Sequence, residues 1–133
     1  MTDEIRVEIC RDIDIVAARQ KGRELAARAG IAGTDLTLIA TAISEVARNI
    51  VEYAGRGEVR LEAIARGGRT GVLVVASDEG PGIADIDMAL RDGFSTGKSL
   101  GLGLPGARRL MDEFEIVSEV GKGTTVTMRK WRR

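Results

Sequence analysis

Asp78-Glu79-Gly80-Pro81-Gly82, then Gly93-Phe94-Ser95-Thr96-Gly97-Lys98-Ser99 and Leu100-Gly101-Leu102-Gly103-Leu104-Pro105-Gly106, make residues 78–106 a glycine-rich stretch. Glycine admits positive φ and lets backbone N–H groups approach a ligand closely. Successive N–H groups in such a loop form an anion-binding concavity, and a helix starting after the last glycine adds its positive end. This run therefore reads as a phosphate cradle, and three phosphate motifs compete for it. A Walker loop requires G-x-x-x-x-G-K-[ST]; Gly97-Lys98-Ser99 supplies its end, but the first glycine would fall at Asp92. The dinucleotide fingerprint is matched literally by Gly101-Leu102-Gly103-Leu104-Pro105-Gly106. That pattern needs a strand just upstream, where the chain has the polar, glycine-broken residues Ser95 to Ser99. The third motif needs partners elsewhere in the sequence.

The bulk composition narrows the function classes. A chain of 133 residues is expected to be one domain, 1–133, able to bury about two thirds of its unfolded surface. Lys plus Arg equals Asp plus Glu at 20 each, so no net charge draws the protein to nucleic acid or anionic membrane. Aromatics at 3% leave little for base stacking. The single cysteine, Cys10, excludes an intrachain disulfide and a cysteine metal cluster. Histidine is absent, which removes the Ser-His-Asp triad, histidine zinc sites and any phosphohistidine relay within this chain. No signal peptide and no 18-residue apolar run appear, so a cytoplasmic protein without membrane contact is expected.

Periodicity supplies the elements. Ile5, Val7 and Ile9 alternate with charged residues and predict a half-buried strand. Asp12 or Asp14 is expected to cap a helix running to about Ala29, with Gly30 as its stop. Thr34 is expected to cap a second helix, in which Leu36, Ile39, Ile43, Val46 and Ile50 form the core-facing stripe. Glu45 and Asn49 share a flank of that helix, bordering the core without belonging to it. Val59, Leu61 and Ala63 mark a strand, Arg66 to Arg69 a turn, and Val72 to Ala76 a central strand covered on both faces or a short buried segment, which delivers Asp78 to a strand end. Pro105 suits a first helical turn. Phe114 to Val120 and Thr124 to Trp131 read as strands around a Gly121-Lys122-Gly123 turn, with Arg132-Arg133 as a frayed tail. The order predicts a two-layer α/β (α+β) sandwich: a mixed, mostly antiparallel sheet with helices on one face.

Four short motifs now fall in order. Glu45-Val46-Ala47-Arg48-Asn49 fits E-x-x-x-N, Asp78-Glu79-Gly80-Pro81-Gly82 fits D-x-G-x-G, Gly101-Leu102-Gly103 fits G-x-G, and Gly121-Lys122-Gly123-Thr124 fits G-x-G-T. Together they resemble the boxes of the Bergerat-fold ATPases and kinases, the GHKL group, and they account for the literal dinucleotide string. Thr41-Ala42-Ile43-Ser44-Glu45, Asp92-Gly93-Phe94-Ser95-Thr96 and Arg109-Leu110-Met111-Asp112-Glu113-Phe114 extend the likeness over the whole chain. There the sequence resembles the RsbT-like switch serine/threonine kinases of bacterial stressosomes. Anti-sigma-factor kinases, the related group, usually carry a histidine shortly after the N-box asparagine, where this chain has Tyr53.

The resemblance implies ATP and Mg²⁺ as cofactors and assigns roles residue by residue. Asp78 would accept a hydrogen bond from the adenine amino group, with Gly80 and Gly82 keeping the loop close to the base. Thr124 would help hold Asp78 and an ordered water. Asn49 would offer its side-chain oxygen to the metal, and Glu45, one turn earlier, would act as general base. Gly101, Leu102, Gly103 and Leu104 would hold the phosphates, and Lys98 could reach the terminal one. The implied partners are STAS-domain substrates, antagonist or scaffold, and a PP2C-type phosphatase activated on release. The alternatives are an anti-sigma factor kinase that sequesters a sigma factor, and an ATP-binding module without catalysis.

Overall fold

The computed structural model describes residues 4–90 and 103–133. Alternation in the sequence becomes one five-stranded sheet: β1 (Glu4–Ile9), β2 (Gly57–Arg66), β3 (Arg69–Asp78), β4 (Glu113–Glu119) and β5 (Gly123–Trp131), ordered β1-β2-β3-β5-β4. Every neighbouring pair is antiparallel, so the parallel component implied by a mixed sheet is absent among the described residues. β3 is central, as its apolar run predicts, but only one of its faces is covered. Val72, Val74 and Ala76 are buried, while Leu73 and Val75 are half-buried on the opposite face. On that open face Arg6 and Arg60 of β1 and β2 pair with Glu4, Glu58 and Glu62.

Two long helices lie against the inner face, α1 (Asp12–Arg28) and α2 (Thr34–Asn49). Their caps sit one residue from the positions expected. Arg11 is the N-cap of α1, and Asp14 holds the first turn by accepting the Cys10 and Arg11 N–H groups at 2.9 Å each. Those backbone bonds, Arg11's first, keep the Asp14 carboxyl below the usual carboxylate range. Gly33 caps α2, leaving Thr34 as its first helical residue. The stripe Ile39, Ile43, Val46 and Ile50 is fully buried in one core with Ile9, Leu25, Val59, Leu61 and Met128. Gly22 of α1 lets the two helices touch, since a Cβ there would overlap the Ile43 side chain.

After Asn49 the helix widens to a π-helical turn, Ile50–Ala54, closed by the Gly55 N–H on the Ile50 carbonyl at 2.8 Å. A single helical turn, α3 (Ile86–Ala89), follows the 78–82 loop, capped by Asp85 through the Met88 N–H at 3.0 Å. α4 (Gly103–Leu110) packs on α2. No described helix is long and apolar enough to cross a membrane.

The C-terminus is tied down, correcting the frayed-tail expectation. β5 turns Lys130 inward, and a buried ammonium needs partners. Its Nζ donates to the Leu110 carbonyl at 2.8 Å and lies 3.7 Å from Asp112 and 3.9 Å from Asp35. The Trp131 N–H (2.8 Å) and Arg133 (2.6 Å) also bond Asp112, and the Arg132 N–H reaches the Thr70 carbonyl. Burial pushes the Asp112 carboxyl up, but the Trp131 N–H, Arg133 and Lys130 outweigh it and leave its pKa lowered. A depressed folded-state pKa contributes stability above the unfolded value of about 4 that is lost as pH falls through the folded value. Asp112→Asn is therefore expected to destabilise the protein near neutral pH, with the gap to wild type closing as pH falls below the unfolded value. Urea unfolding of both proteins across pH checks this; a gap independent of pH would remove the Asp112 charge from the account.

Candidate functional site

A cavity of about 310 Å³ opens between the C-terminal end of β3, the π-helical turn, α3 and the start of α4. Asn49, Tyr53, Asp78, Gly82, Leu104 and Thr124 line it, joined by apolar Ala54, Ile83, Met88, Ala89 and Pro105. Its walls are mostly apolar with a few converging polar groups, the usual make-up of a small-molecule site. Five of the sequence-derived candidates thus meet in one place: Asn49, Asp78, Gly82, Leu104 and Thr124. Lys98, Gly101 and Leu102 lie outside the described residues.

At the inner end, strand register sets Asp78 directly opposite Thr124. Asp78 Oδ1 accepts the Gly80 N–H at 2.8 Å, a turn within the D-x-G motif that fixes the carboxylate's orientation. Thr124 is buried, and its hydroxyl lies 2.8 Å from Ser118 Oγ of β4. The glycines here serve backbone packing. A Cβ on Gly80 would press on Ala54, and one on Gly82, at φ +77, would overlap the Glu119 carbonyl oxygen. Gly123, at φ +125, lies against the Asp78 carbonyl so closely that a Cβ would overlap its oxygen.

Gly123→Ala therefore combines a disfavoured backbone with a clash that only separation of β3 and β5 relieves. It is expected to cost about 2–4 kcal/mol of folding stability. Thermal unfolding checks this, and a melting temperature equal to wild type would show that the strands part without cost.

Glu45 sits just outside the cavity, and its environment differs from the sequence expectation. Placed on the border of the core by helical geometry alone, it is only 5% exposed. α4 packs over that flank of α2, and Glu45 Oε1 accepts the Gly103 N–H at 3.0 Å while Oε2 pairs with Arg48 at 3.2 Å. The carboxylate is thus held from two sides, one helical turn before Asn49. Its partner Gly103 was itself a candidate phosphate donor, so the N-box and the third glycine box meet through a hydrogen bond.

Tyr53 and the apolar walls were not among the expected site residues. Tyr53 falls four residues after Asn49, a spacing that places it on the same side of a helix, and the π-helical turn carries it to the cavity mouth. Ser118 lies on an edge strand with no motif to announce it.

Comparison with known proteins follows the same lines. Residues 11–130 match the family described as "Histidine kinase-like ATPase domain". Over 133 residues the chain is 50% identical to the serine/threonine-protein kinase RsbT of Bacillus subtilis, covering all of both chains. It is 36% identical over 103 residues to the anti-sigma F factor of Geobacillus thermodenitrificans, spanning 72% of this chain and 69% of that one. The anti-sigma F factor of a Thermoanaerobacter species is 34% identical over 99 residues, 70% and 68% of the two chains. Among solved structures, the mycobacterial sensor histidine kinase MprB superposes with a TM-score of 0.59 at 15% identity, covering all of this chain and 99% of that one, a likeness of fold.

Proposed function

The chain belongs to the histidine kinase-like ATPase domain family and, within it, to the RsbT-like serine/threonine-protein kinases, and on that premise we propose that it phosphorylates a serine or threonine of STAS-domain antagonist or scaffold proteins in a partner-switching stress response. Released from those partners, it would activate a PP2C-type phosphatase; a cytoplasmic location goes with this reading. The observation that carries the proposal is the contiguity of a base-binding end, Asp78 and Thr124, with a phosphate end where Asn49, Gly103 and Glu45 lie together.

The residues fit ATP. Asp78 offers an acceptor to the adenine amino group inside an apolar slot formed by Ala54, Ile83 and Met88. The Leu104 N–H lies in the first turn of α4, beside a Gly103 N–H that already donates to Glu45, and a helix N-terminus favours phosphate. Among the described residues no cluster of three or more His, Cys, Asp and Glu could hold a metal by itself. Asn49 would contribute one oxygen to a Mg²⁺ that arrives with the phosphates, neutralising charge on the transferred group. Glu45 would orient the acceptor hydroxyl and take its proton as the oxygen bonds to the γ-phosphorus and the bond to the ADP oxygen breaks. A depression lined by Asp12, Ile15, Val16, Arg19, Arg48 and Glu52 shares Arg48 with the Glu45 ion pair, giving a protein acceptor room beside the base.

The test is transfer from γ-labelled ATP with Mg²⁺ onto purified STAS-domain proteins encoded near this gene. Label on serine or threonine is the expected result; ATP binding without transfer to any of them would leave a regulatory ATP-binding module. The anti-sigma F factor relatives favour a second reading, in which the chain sequesters a sigma factor as a dimer. Stable co-purification with a sigma factor would select it.

A further inference from the structure

Among the described residues two charged side chains are buried, Glu45 and Lys130, and each holds one end of α4. Burying a charge is costly, so the two sites call for a reason. The sequence of α4 supplies one. It reads Gly-Leu-Pro-Gly-Ala-Arg-Arg-Leu, in which Gly103, Pro105 and Gly106 are weak helix formers. Helices shorter than about 12 residues are also marginal without tertiary anchors. At the start of α4, Glu45 Oε1, near the end of α2, accepts the Gly103 N–H at 3.0 Å. At its finish, Lys130 Nζ of β5 donates to the Leu110 carbonyl at 2.8 Å. The same ammonium lies 3.7 Å from Asp112 and 3.9 Å from Asp35 in the first turn of α2. α4 therefore runs back along α2 with a polar link at either end.

Lys130 does two things for this helix. Its N–H satisfies a last-turn carbonyl that the helix cannot pair, and its charge offsets the negative end of the dipole. The other end of the same eight residues, about 10 Å away at a rise of about 1.5 Å per residue, meets the cavity through Leu104. Pro105 has no N–H, and the Gly103 N–H already goes to Glu45. Of the first three residues, that leaves the Leu104 N–H to meet a phosphate. Its direction depends on how α4 lies, and the two end links set that. We propose that Lys130 is a positioning residue for the phosphate end of the nucleotide, acting through α4 from the helix's opposite end. The inference rests on the ATP-binding reading above.

ATP and adenosine make the test, because they share the base and ribose and differ in the phosphates. The affinities of both are measured by titration calorimetry with the full chain, wild type and Lys130→Met. Methionine keeps an apolar stem and removes the donor and the charge. The ATP:adenosine affinity ratio should fall about threefold to tenfold, with adenosine itself bound as in wild type. Lys130→Arg, which brings back a cation with N–H donors, should recover most of the ratio. A merely structural role would loosen the core and weaken both ligands alike, so an unchanged ratio in folded Lys130→Met would overturn the proposal. Should the methionine variant fail to fold, Lys130→Gln keeps a polar group beside Asp112 but loses the charge and shortens the reach to the Leu110 carbonyl. It must still lower the ratio, and an unchanged ratio there would likewise overturn the role of Lys130. Absence of ATP binding by wild type would instead overturn the ATP reading, and this inference with it.

Discussion

Glu45→Gln is expected to lower the rate of phosphoryl transfer by about 10²–10⁴-fold while leaving ATP affinity within about twofold of wild type. Glutamine is nearly isosteric, and its carbonyl oxygen can keep the Gly103 N–H that now bonds Oε1 at 3.0 Å. The seat of α4 on α2 therefore survives. What disappears is the negative charge facing Arg48 and the capacity to take a proton from the acceptor. Glu45→Ala is a poorer probe, because it strands both the Gly103 N–H and the Arg48 guanidinium at a site that is 5% exposed. Single-turnover transfer to a STAS-domain protein, alongside direct ATP titration, separates the two effects. Transfer by the glutamine variant at the wild-type rate would take Glu45 out of the chemistry. Loss of ATP binding together with transfer would make it a scaffold residue instead.

The contrast between Glu45 and Asn49 shows what a sequence can and cannot carry. Both were legible as residues of one helix flank, because a 3.6-residue period is a local property and Ile39, Ile43, Val46 and Ile50 define the opposite reference stripe. Whether that flank faces water or protein depends on which element packs there, and α4 joins α2 from more than fifty residues away. The same limit applies to the sheet. Strand identities and the Arg66–Arg69 turn follow from alternation and glycine placement, whereas β5 inserting between β3 and β4 is a pairing choice that no local pattern encodes. That choice sets Thr124 opposite Asp78 and brings Ser118 against Thr124, so half of the base pocket is a product of register. The C-terminal arginines looked dispensable because charge near a terminus usually means solvation. Here the inward Lys130 and the Asp112 carboxylate draw Arg133 into their network. The π-helical turn that carries Tyr53 to the cavity has no propensity signature at all.

Asp78→Asn is expected to weaken ATP binding by about tenfold to a hundredfold without changing the melting temperature appreciably. The reasoning starts from the Gly80 N–H, which donates to Asp78 Oδ1 at 2.8 Å and needs an acceptor in any variant. Asparagine has one oxygen, and the turn claims it. The amide nitrogen is then left facing the cavity, a donor where the aspartate had an acceptor. An adenine amino group now meets donor against donor, so the substitution costs more than one missing hydrogen bond. The backbone turn persists, which is why stability should hold and the loss should appear in affinity alone. The reversed polarity also has a direction: the asparagine amide can donate to a 6-oxo group, so ITP should lose much less affinity than ATP in the same variant. Titrating both nucleotides against wild type and Asp78→Asn decides the matter. Unchanged ATP affinity would mean that Asp78 does not touch the base. An equal loss for ATP and ITP would mean that the carboxylate acts through its charge and the shape of the loop, with no reading of the purine edge.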